Sequence, residues 1–323
     1  MTTHRGTRTV TVVGSIVMDH KWHAVGGLMR DSTEDYPLWR VERRHGGVGR
    51  NVAENLARLG VPVFFAGLSG VDQLAKEIED RLREAGVRLA VARMSGGVGR
   101  FDVHLDDAGG LTRSRISLPR DELLTWDLLI SALPELGDAA VVGVETGLAV
   151  PMVAMLRDYT RQRGIRLLGM PTRLADHGPR WPLIREMDIL VLNEVEAAIV
   201  TRLPGGDLRT ARAQISKILT DGPSTVVLTC GDRGVLAASA EEPEPLHFPA
   251  RQVRCIDDTG AGDALTAALL AGLVEGADLA TAVTMGLEAA RITVGCPDSS
   301  CRRINELADT ACSAARINTE IPA

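Results

Sequence analysis

Lysine is scarce in this chain of 323 residues and occurs only as Lys21, Lys76 and Lys217. None of the three follows a glycine-rich loop, so the phosphate-binding loop G-x-x-x-x-G-K-[ST] is absent. Long apolar runs are also missing: the longest, residues 264–274, is interrupted by a threonine and a glycine and falls short of the roughly 20 residues that cross a bilayer. The N-terminus lacks the apolar core of a signal peptide. We therefore expect a cytoplasmic protein with no membrane partner.

Cysteine pairs with the spacing of a zinc site are lacking as well. The five cysteines are scattered, and Cys296 and Cys301, which are nearest to each other, have no histidine close by. We expect both to be reduced thiols. The net charge is −6 and no block of like charge occurs, which argues against a nucleic-acid partner. The length suits a single domain over residues 1–323.

Short apolar runs alternate with helical patterns along most of the chain. Runs with the length of buried strands lie at 9–14, 63–66, 139–144, 166–169, 188–192 and 225–229. The last quarter has helical patterns at 261–275, 278–294 and 302–318. Apolar strands that alternate with helices predict an α/β fold with a doubly wound, mostly parallel sheet covered on both faces.

Two segments, residues 20–45 and 99–117, do not fit this alternation. They are polar or alternating in character and too long for simple connections. Both could form a small β lid over a ligand crevice, which would exclude water from it. Ordinary surface hairpins explain the same pattern equally well.

The most informative motif is Asp258-Thr-Gly-Ala-Gly-Asp263, which is followed at once by an apolar helical run. A tight glycine turn before a helix leaves backbone N–H groups pointing outward, and the helix dipole adds positive potential, so the loop can bind an anion. An acidic side chain in such a loop suits a general base that takes a proton from a hydroxyl beside a phosphoryl group. The simpler alternative is that Asp258 caps the helix and Asp263 only complements its dipole.

A second motif, Gly46-Gly-Val-Gly-Arg-Asn51-Val-Ala-Glu-Asn-Leu56, places glycines and an asparagine at the start of another helix. Together the two motifs resemble those of the ribokinase (PfkB) family of carbohydrate and nucleoside kinases. Three further elements match in the family's order: Gly14-Ser-x-x-Met-Asp19, Asn193-x-x-Glu196 and Thr229-x-Gly231-x-x-Gly234. The resemblance covers residues 8–318 and implies a ribokinase-like fold.

The resemblance also implies a role for each matching residue. Asp263 would be the catalytic base, and the N–H groups of Gly260, Ala261 and Gly262 would hold the transferring phosphoryl group. Substrate hydroxyls would be bound by Asp19, Asn51 and the backbone of Gly47. The bound ATP would be contacted by Asn193, Thr229, Gly231 and Gly234. Asn193 and Glu196 would organise Mg²⁺ and its waters around the phosphates.

The family further suggests a monovalent cation such as K⁺ beside the Asp258 loop and a homodimer formed through the lid segments. Structural explanations compete for several residues. Asp19 could cap a turn, Asn51 could cap a helix, and the spacing of Asn193 and Glu196 is that of a capping box.

Within the family, the second motif looks most like that of pseudouridine kinases, which phosphorylate the 5′-hydroxyl of a C-nucleoside. Two departures lie where the base of the substrate should sit: Gly99-Arg100-Phe101 in the lid, with Arg100 taken as a substrate contact, and Met170-Pro171 in place of an acidic residue before proline.

The leading hypothesis is therefore an ATP- and Mg²⁺-dependent kinase that acts on pseudouridine. The alternatives are a kinase for another nucleoside or a free sugar, and a catalytically silent nucleoside-binding relative. A nicotinamide-dependent oxidoreductase would need G-x-G-x-x-G directly after the first strand, and residues 14–19 lack it.

Overall fold

The computed structural model describes residues 9–30, 35–106, 111–117, 132, 134–172 and 181–308. Its strands are β1 (Val10–Ser15), β2 (Val17–Arg30), β3 (Asp35–Gly46), β4 (Val63–Gly70), β5 (Arg88–Met94), β6 (Gly99–Leu105), β7 (Leu111–Ser117), β8 (Val141–Glu145), β9 (Arg166–Met170), β10 (Ile189–Asn193), β11 (Thr225–Thr229), β12 (Val235–Ser239) and β13 (Leu246–Phe248). Its α-helices are α1 (Val48–Arg58), α2 (Gln73–Glu84), α3 (Val150–Arg163), α4 (Trp181–Ile184), α5 (Glu194–Thr201), α6 (Leu208–Asp221), α7 (Ala261–Val274) and α8 (Leu279–Val294).

Nine strands form the large sheet, in the order β13-β12-β11-β10-β9-β8-β1-β4-β5. Neighbours from β5 to β11 are parallel, whereas β12 pairs antiparallel with both β11 and β13. The predicted α/β fold with a mostly parallel sheet is confirmed.

Both faces of the large sheet are buried. The side chains of Val12 and Val13 are fully buried and belong to different apolar clusters, because successive residues of a strand point to opposite faces. The cluster around Val12 includes side chains of α1, α2, α7 and α8, and the cluster around Val13 includes side chains of α3, α5 and α6. This double cover explains why the strands read as unbroken apolar runs.

A small sheet has the strand order β3-β2-β6-β7. Its strand β2 pairs antiparallel with β3 and parallel with β6, which pairs antiparallel with β7. The segments that broke the alternation in the sequence thus form one sheet.

Some elements differ from the sequence expectations. Helix α1 begins at Val48, within the second glycine motif, and β12 and β13 were not predicted. Residues 302–307 form a 3₁₀ helix, and the rest of the helix predicted to residue 318 lies outside the described residues beyond Ala308. Within the described residues, no helix has both the length and the apolar character that crossing a membrane requires.

The expectation of two reduced thiols was wrong. Cys296 and Cys301 form a disulfide, because the turn after α8 brings their Cα atoms within 5.9 Å of each other. The loop that this disulfide closes packs against the start of α1: the Ser299 hydroxyl donates to the carbonyl of His45 at 2.6 Å.

Candidate active site

Four parallel strands of the large sheet end at the edge where most of the predicted site residues lie. Because β1, β8, β10 and β11 are parallel, their carboxyl ends open at one edge of the sheet. They end there with Ser15, Glu145, Asn193 and Thr229.

Glu145 joins two of the glycine motifs at this edge. Its buried carboxylate accepts hydrogen bonds from the Ser15 N–H at 3.0 Å, the Ser15 hydroxyl at 2.9 Å and the Gly49 N–H at 2.6 Å. A Cβ on Gly14 would lie 2.6 Å from Glu145 Oε1, so the carboxylate fits only beside a glycine at this position. Sequence analysis missed Glu145, although an acidic residue at the end of an apolar strand was the signal that could have revealed it.

Asn51 and Asp263 meet across the site. Helix α1 begins after Gly47, whose φ of +100° and close approach to the Ser15 carbonyl leave no room for a side chain. This start places Asn51 in the first turn, where its Nδ2 donates to Asp263 Oδ2 at 2.7 Å. Asn51 Oδ1 accepts hydrogen bonds from the Arg50 guanidinium and the Ser299 hydroxyl, so the orientation of the amide is fixed from both sides.

An ion network with a fully buried central pair, Arg50 and Glu54, lies behind Asn51. The Arg50 guanidinium lies 2.9 Å from the Glu54 carboxylate, and Glu54 also accepts hydrogen bonds from Arg58 at 2.6 Å and Arg81 at 2.8 Å. A buried charge is tolerated when it is paired and hydrogen-bonded, and Arg50 both pairs with Glu54 and donates from Nη1 to the Asn51 amide oxygen. Arg50 and Glu54 belong to the second motif, but sequence analysis gave them no role.

The carboxyl groups of Asp263 and Asp19 both resist ionisation. Burial, followed by the nearby carboxylates Glu145 and Asp19, raises the pKa of Asp263 to about 7, against the opposing effects of Asn51 and Arg50. Burial likewise raises the pKa of Asp19 to about 6. The Asp19 carboxylate packs directly over Gly46, where a Cβ would overlap it. A base with a pKa near neutrality is well matched to proton transfer at physiological pH.

The loop before α7 has the geometry of an anion site. Gly260 caps the helix with a φ of +84°, and a Cβ there would overlap the carbonyl of Ser299. The Ala261 N–H donates to the carbonyl of Asp258 at 3.2 Å, and the helical ladder begins with the Ala264 N–H donating to Gly260. The N–H groups of Gly262 and Asp263 precede that ladder and lie at the positive end of the helix dipole. Asp258 is not the helix cap.

A cavity of about 640 Å³ adjoins the anion loop, within the usual size range of ligand pockets. All four residues predicted to contact the nucleotide line it, together with two residues of the loop: Asn193, Thr229, Gly231, Gly234, Ala261 and Gly262. Its apolar part comes from residues that sequence analysis missed, among them Val253, Leu265, Leu287 and Val294. These come from distant parts of the chain, so no local pattern indicated them.

Asn193 and Glu196 form the capping box that their spacing allows. Asn193 Oδ1 accepts from the Glu196 N–H, and Glu196 Oε2 accepts from the Asn193 N–H, both at 2.9 Å. Burial and the charge of Asp263 raise the pKa of Glu196 to about 7, while its hydrogen bond to Asn193 opposes the shift. Burial and the Asp263 charge disfavour the ionised form of Glu196, so a nearby cation would stabilise it. Mg²⁺ that is bound through water needs few protein ligands. The capping role therefore does not exclude the metal role.

The register of the small sheet separates Arg100 from Asp19. Asp19 pairs with Phe101, so those two side chains share one face, whereas Arg100 pairs with Met18 on the other face and is exposed. The structure thus places Arg100, predicted as a substrate contact, on the face away from Asp19, whereas Phe101 shares the face of Asp19. Met170 packs into the core at 3% exposure.

A family model described as pfkB family carbohydrate kinase matches residues 7–303 of this chain. The chain is 31% identical over 303 residues to the bifunctional protein HldE of Ectopseudomonas mendocina (strain ymp), a match that covers 88% of this chain and 60% of that protein. The HldE protein of Stutzerimonas stutzeri (strain A1501) is 30% identical over 301 residues with the same coverage. The chain thus spans about 60% of the length of these relatives.

Solved structures share the fold at lower identity. A putative sugar kinase from Clostridium perfringens superposes with a TM-score of 0.76 at 19% identity and 95% coverage of both chains. Ribokinase from Giardia lamblia gives 0.75 at 22% identity, with 92% of this chain and 98% of that chain covered. Arabidopsis thaliana ribokinase complexed with ribose and ATP gives 0.73 at 20% identity, with 93% and 97% covered. Because the family model matches most of its length, this chain belongs to the pfkB family of carbohydrate kinases.

Proposed function

We propose that the chain transfers the γ-phosphoryl group of ATP to a primary hydroxyl of a ribosyl compound. The observation that carries this proposal is the Asp263 carboxyl group, held by Asn51 at 2.7 Å, with a pKa near 7, at the first turn of α7. The anion loop and the adjoining cavity lie on the same helix terminus, so base and phosphoryl donor can act on one hydroxyl.

In this mechanism Asp19 and Asn51 bind acceptor hydroxyls, and Asp263 takes the proton from the hydroxyl that attacks. A new bond forms between that oxygen and the γ-phosphorus while the bond to ADP breaks. The N–H groups of residues 260–262 stabilise the charge that develops on the phosphoryl oxygens. Because the Ala261 N–H already serves the turn at 3.2 Å, Gly262 is the better placed donor.

Mg²⁺ would be held through water by Glu196 and Asn193, and when bound it neutralises phosphate charge. Glu196 would ionise fully in its presence, since the pKa of about 7 reflects burial and the neighbouring Asp263 charge. The resemblance also suggests a monovalent cation such as K⁺ beside the Asp258 loop. An assay in which K⁺ replaces Na⁺ tests this, and a rise in kcat with K⁺ would support it.

For the acceptor we propose pseudouridine first, because the Gly46–Leu56 motif resembles that of pseudouridine kinases. Phe101, on the same face of the small sheet as Asp19, offers a ring against which a base can pack. Another nucleoside or a free sugar is the alternative, since the structural neighbours include ribokinases and an adenosine kinase from Sinorhizobium meliloti. A silent nucleoside-binding protein would be expected to lack Asp263 or a glycine of its loop.

We further propose a homodimer that forms through the small sheet. Trp22, Trp39 and His104 form an aromatic cluster on the face opposite Asp19, with ring centroids 5.7 Å apart for the stacked Trp22–His104 pair and 5.3 Å apart for Trp39–His104. Trp39 and Val41 remain 37% and 36% exposed there. A dimer in sedimentation that becomes a monomer in Trp39→Glu would support this interface, and a monomeric wild-type protein would refute it.

A cytoplasmic location fits an enzyme that consumes ATP. The Cys296–Cys301 disulfide weighs against it, since reducing compartments keep most cysteines as thiols. A thiol count on protein isolated under alkylating conditions decides between the two states.

The test of function is a phosphotransfer screen with ATP and Mg²⁺ over pseudouridine, uridine, cytidine, adenosine, inosine, ribose and fructose. Asp263→Asn should lose turnover and retain nucleotide binding. Asp278→Asn is the matched control: Asp278 caps the neighbouring helix α8, its side chain accepting from the Thr281 N–H, and asparagine caps equally well. Turnover that survives in Asp263→Asn would contradict the assignment of the base.

A further inference from the structure

Lys21 connects the small sheet to the anion loop. It lies two residues beyond Asp19 on β2, so both side chains share the face of the small sheet that looks onto the site. Its ammonium group forms an ion pair with Asp257 and donates to the Thr259 hydroxyl at 3.0 Å. Each side chain of the pair is only 18% exposed, so water screens the interaction little.

Asp257 in turn stabilises the loop through its own hydrogen bonds. Its Oδ1 accepts from the Thr259 N–H at 3.0 Å, while Oδ2 faces Lys21. Its own N–H donates to the carbonyl of Val294 at 3.3 Å, which ties the loop to the end of α8. Thr259 immediately precedes Gly260, so this turn sets the position of the helix cap and of the N–H groups behind it.

Among the described side chains, Lys21 therefore links the strand that carries Asp19 to the turn that sets the phosphoryl site. Resting on the function proposed above, we propose that Lys21 is a positioning residue for phosphoryl transfer: its ammonium group holds the Asp257–Thr259 turn so that the N–H groups of α7 are aimed at the phosphoryl group. It acts through Asp257 and Thr259 rather than by contact with the reacting atoms.

The consequence is a specific pattern of kinetic loss. Without the ammonium group the Asp257 carboxylate loses its cation, and the loop samples other conformations. Misalignment at the transition state lowers kcat, whereas the cavity that binds ATP keeps its lining. A hydrogen bond to a charged group is strong enough to reduce the population of the open loop roughly 10- to 100-fold.

The test compares Lys21→Met and Lys21→Arg with Lys76→Met. Lys76 is the matched control because it too pairs with an aspartate, Asp80, but on α2 away from the site and 65% exposed. Amide hydrogen exchange of residues 256–262 in the ligand-free protein is measured first. We expect roughly 10- to 100-fold faster exchange in Lys21→Met, partial restoration in Lys21→Arg, and no change in Lys76→Met. Unchanged exchange in Lys21→Met would overturn the proposal.

Turnover is measured second, on the acceptor that the wild-type protein uses. We expect Lys21→Met to lower kcat about 10- to 100-fold and the affinity for ATP less than about threefold. The double variant with Asp257→Asn should lose no more than the worse single variant, because both act through one contact. A loss confined to ATP affinity, or fully additive losses, would overturn the positioning role. A wild-type protein without turnover would refute the proposed function, while the exchange data alone would decide whether Lys21 holds the loop.

Discussion

Replacing Asp263 by asparagine should make the ligand-free protein more stable at high pH. The pKa of this carboxyl group is about 7 in the folded protein and ordinarily 3.8. A group that binds its proton more tightly in the folded state lowers the free energy of unfolding as the pH rises from the unfolded pKa to the folded pKa. The ionised form of Asp263 therefore destabilises the fold, and under the proposed function this cost accompanies a base whose pKa is near neutrality.

The size of the effect follows from the two pKa values. They lie about three pH units apart, and each unit corresponds to about 1.4 kcal/mol, so the ionised group lowers the free energy of unfolding by about 4 kcal/mol at pH 8. At pH 5 the folded carboxyl group is protonated and the penalty is only about 1.7 kcal/mol. The stability gain in Asp263→Asn should therefore grow by roughly 2–3 kcal/mol between pH 5 and pH 8, and level off above pH 7.

Urea denaturation of both proteins at half-unit pH intervals measures this difference without any assumption about turnover. A constant effect of asparagine on packing cancels, because only the change with pH is used. Asp278→Asn should show no rise with pH, since hydrogen bonds from Thr281 lower the pKa of Asp278. A difference for Asp263→Asn that stays flat from pH 5 to pH 8 would refute the argument that burial and neighbouring carboxylates raise this pKa.

Three further changes probe the rest of the site. Glu145→Gln removes a negative charge that raises the pKa of Asp263, so the pH profile of kcat/KM should move to lower pH. Urea denaturation should show a stability loss of about 1–2 kcal/mol. An unmoved profile would contradict the influence of Glu145 on the pKa of Asp263. Gly260→Ala should lower the free energy of unfolding by about 1–3 kcal/mol more than Gly276→Ala. Both glycines have φ above +80°, but only a Cβ at residue 260 would overlap Ser299. Equal losses would show that backbone strain alone matters. Asp19→Asn should raise the KM of the acceptor and leave the KM of ATP unchanged in steady-state kinetics; a raised KM for ATP would contradict its assignment.

The fold was predictable from sequence because its signal is local. Apolar runs such as 188–192 and 225–229 fall within one residue of β10 and β11, since the centres of strands buried on both faces carry only apolar side chains. The antiparallel strands β12 and β13 were missed. They are short, and their pairing depends on partners rather than on their own pattern.

The site was predictable where a residue type is required by backbone geometry or by an apolar helix around it. Gly47 and Gly260 each have a positive φ and a close carbonyl, and Asp263 is the single charged residue of the apolar helix α7. The role of Glu145 arises from contacts over a long separation, as with Ser15. The sequence shows an acidic residue at the end of an apolar strand, but it does not show which groups that residue contacts.

Arg100 shows why substrate identity is the hardest property to predict. Along a strand, neighbouring side chains point to opposite faces, so a shift of one residue in the pairing of β2 with β6 would exchange Arg100 for Phe101 opposite Asp19. The groups that we propose for phosphoryl transfer lie at the start of α7, where Gly260 caps the helix, so their position does not depend on this pairing. The face of the small sheet that would cover the acceptor is set by the register. Under the proposed function, the small sheet would therefore present the ring of Phe101 rather than the cation of Arg100 to the substrate.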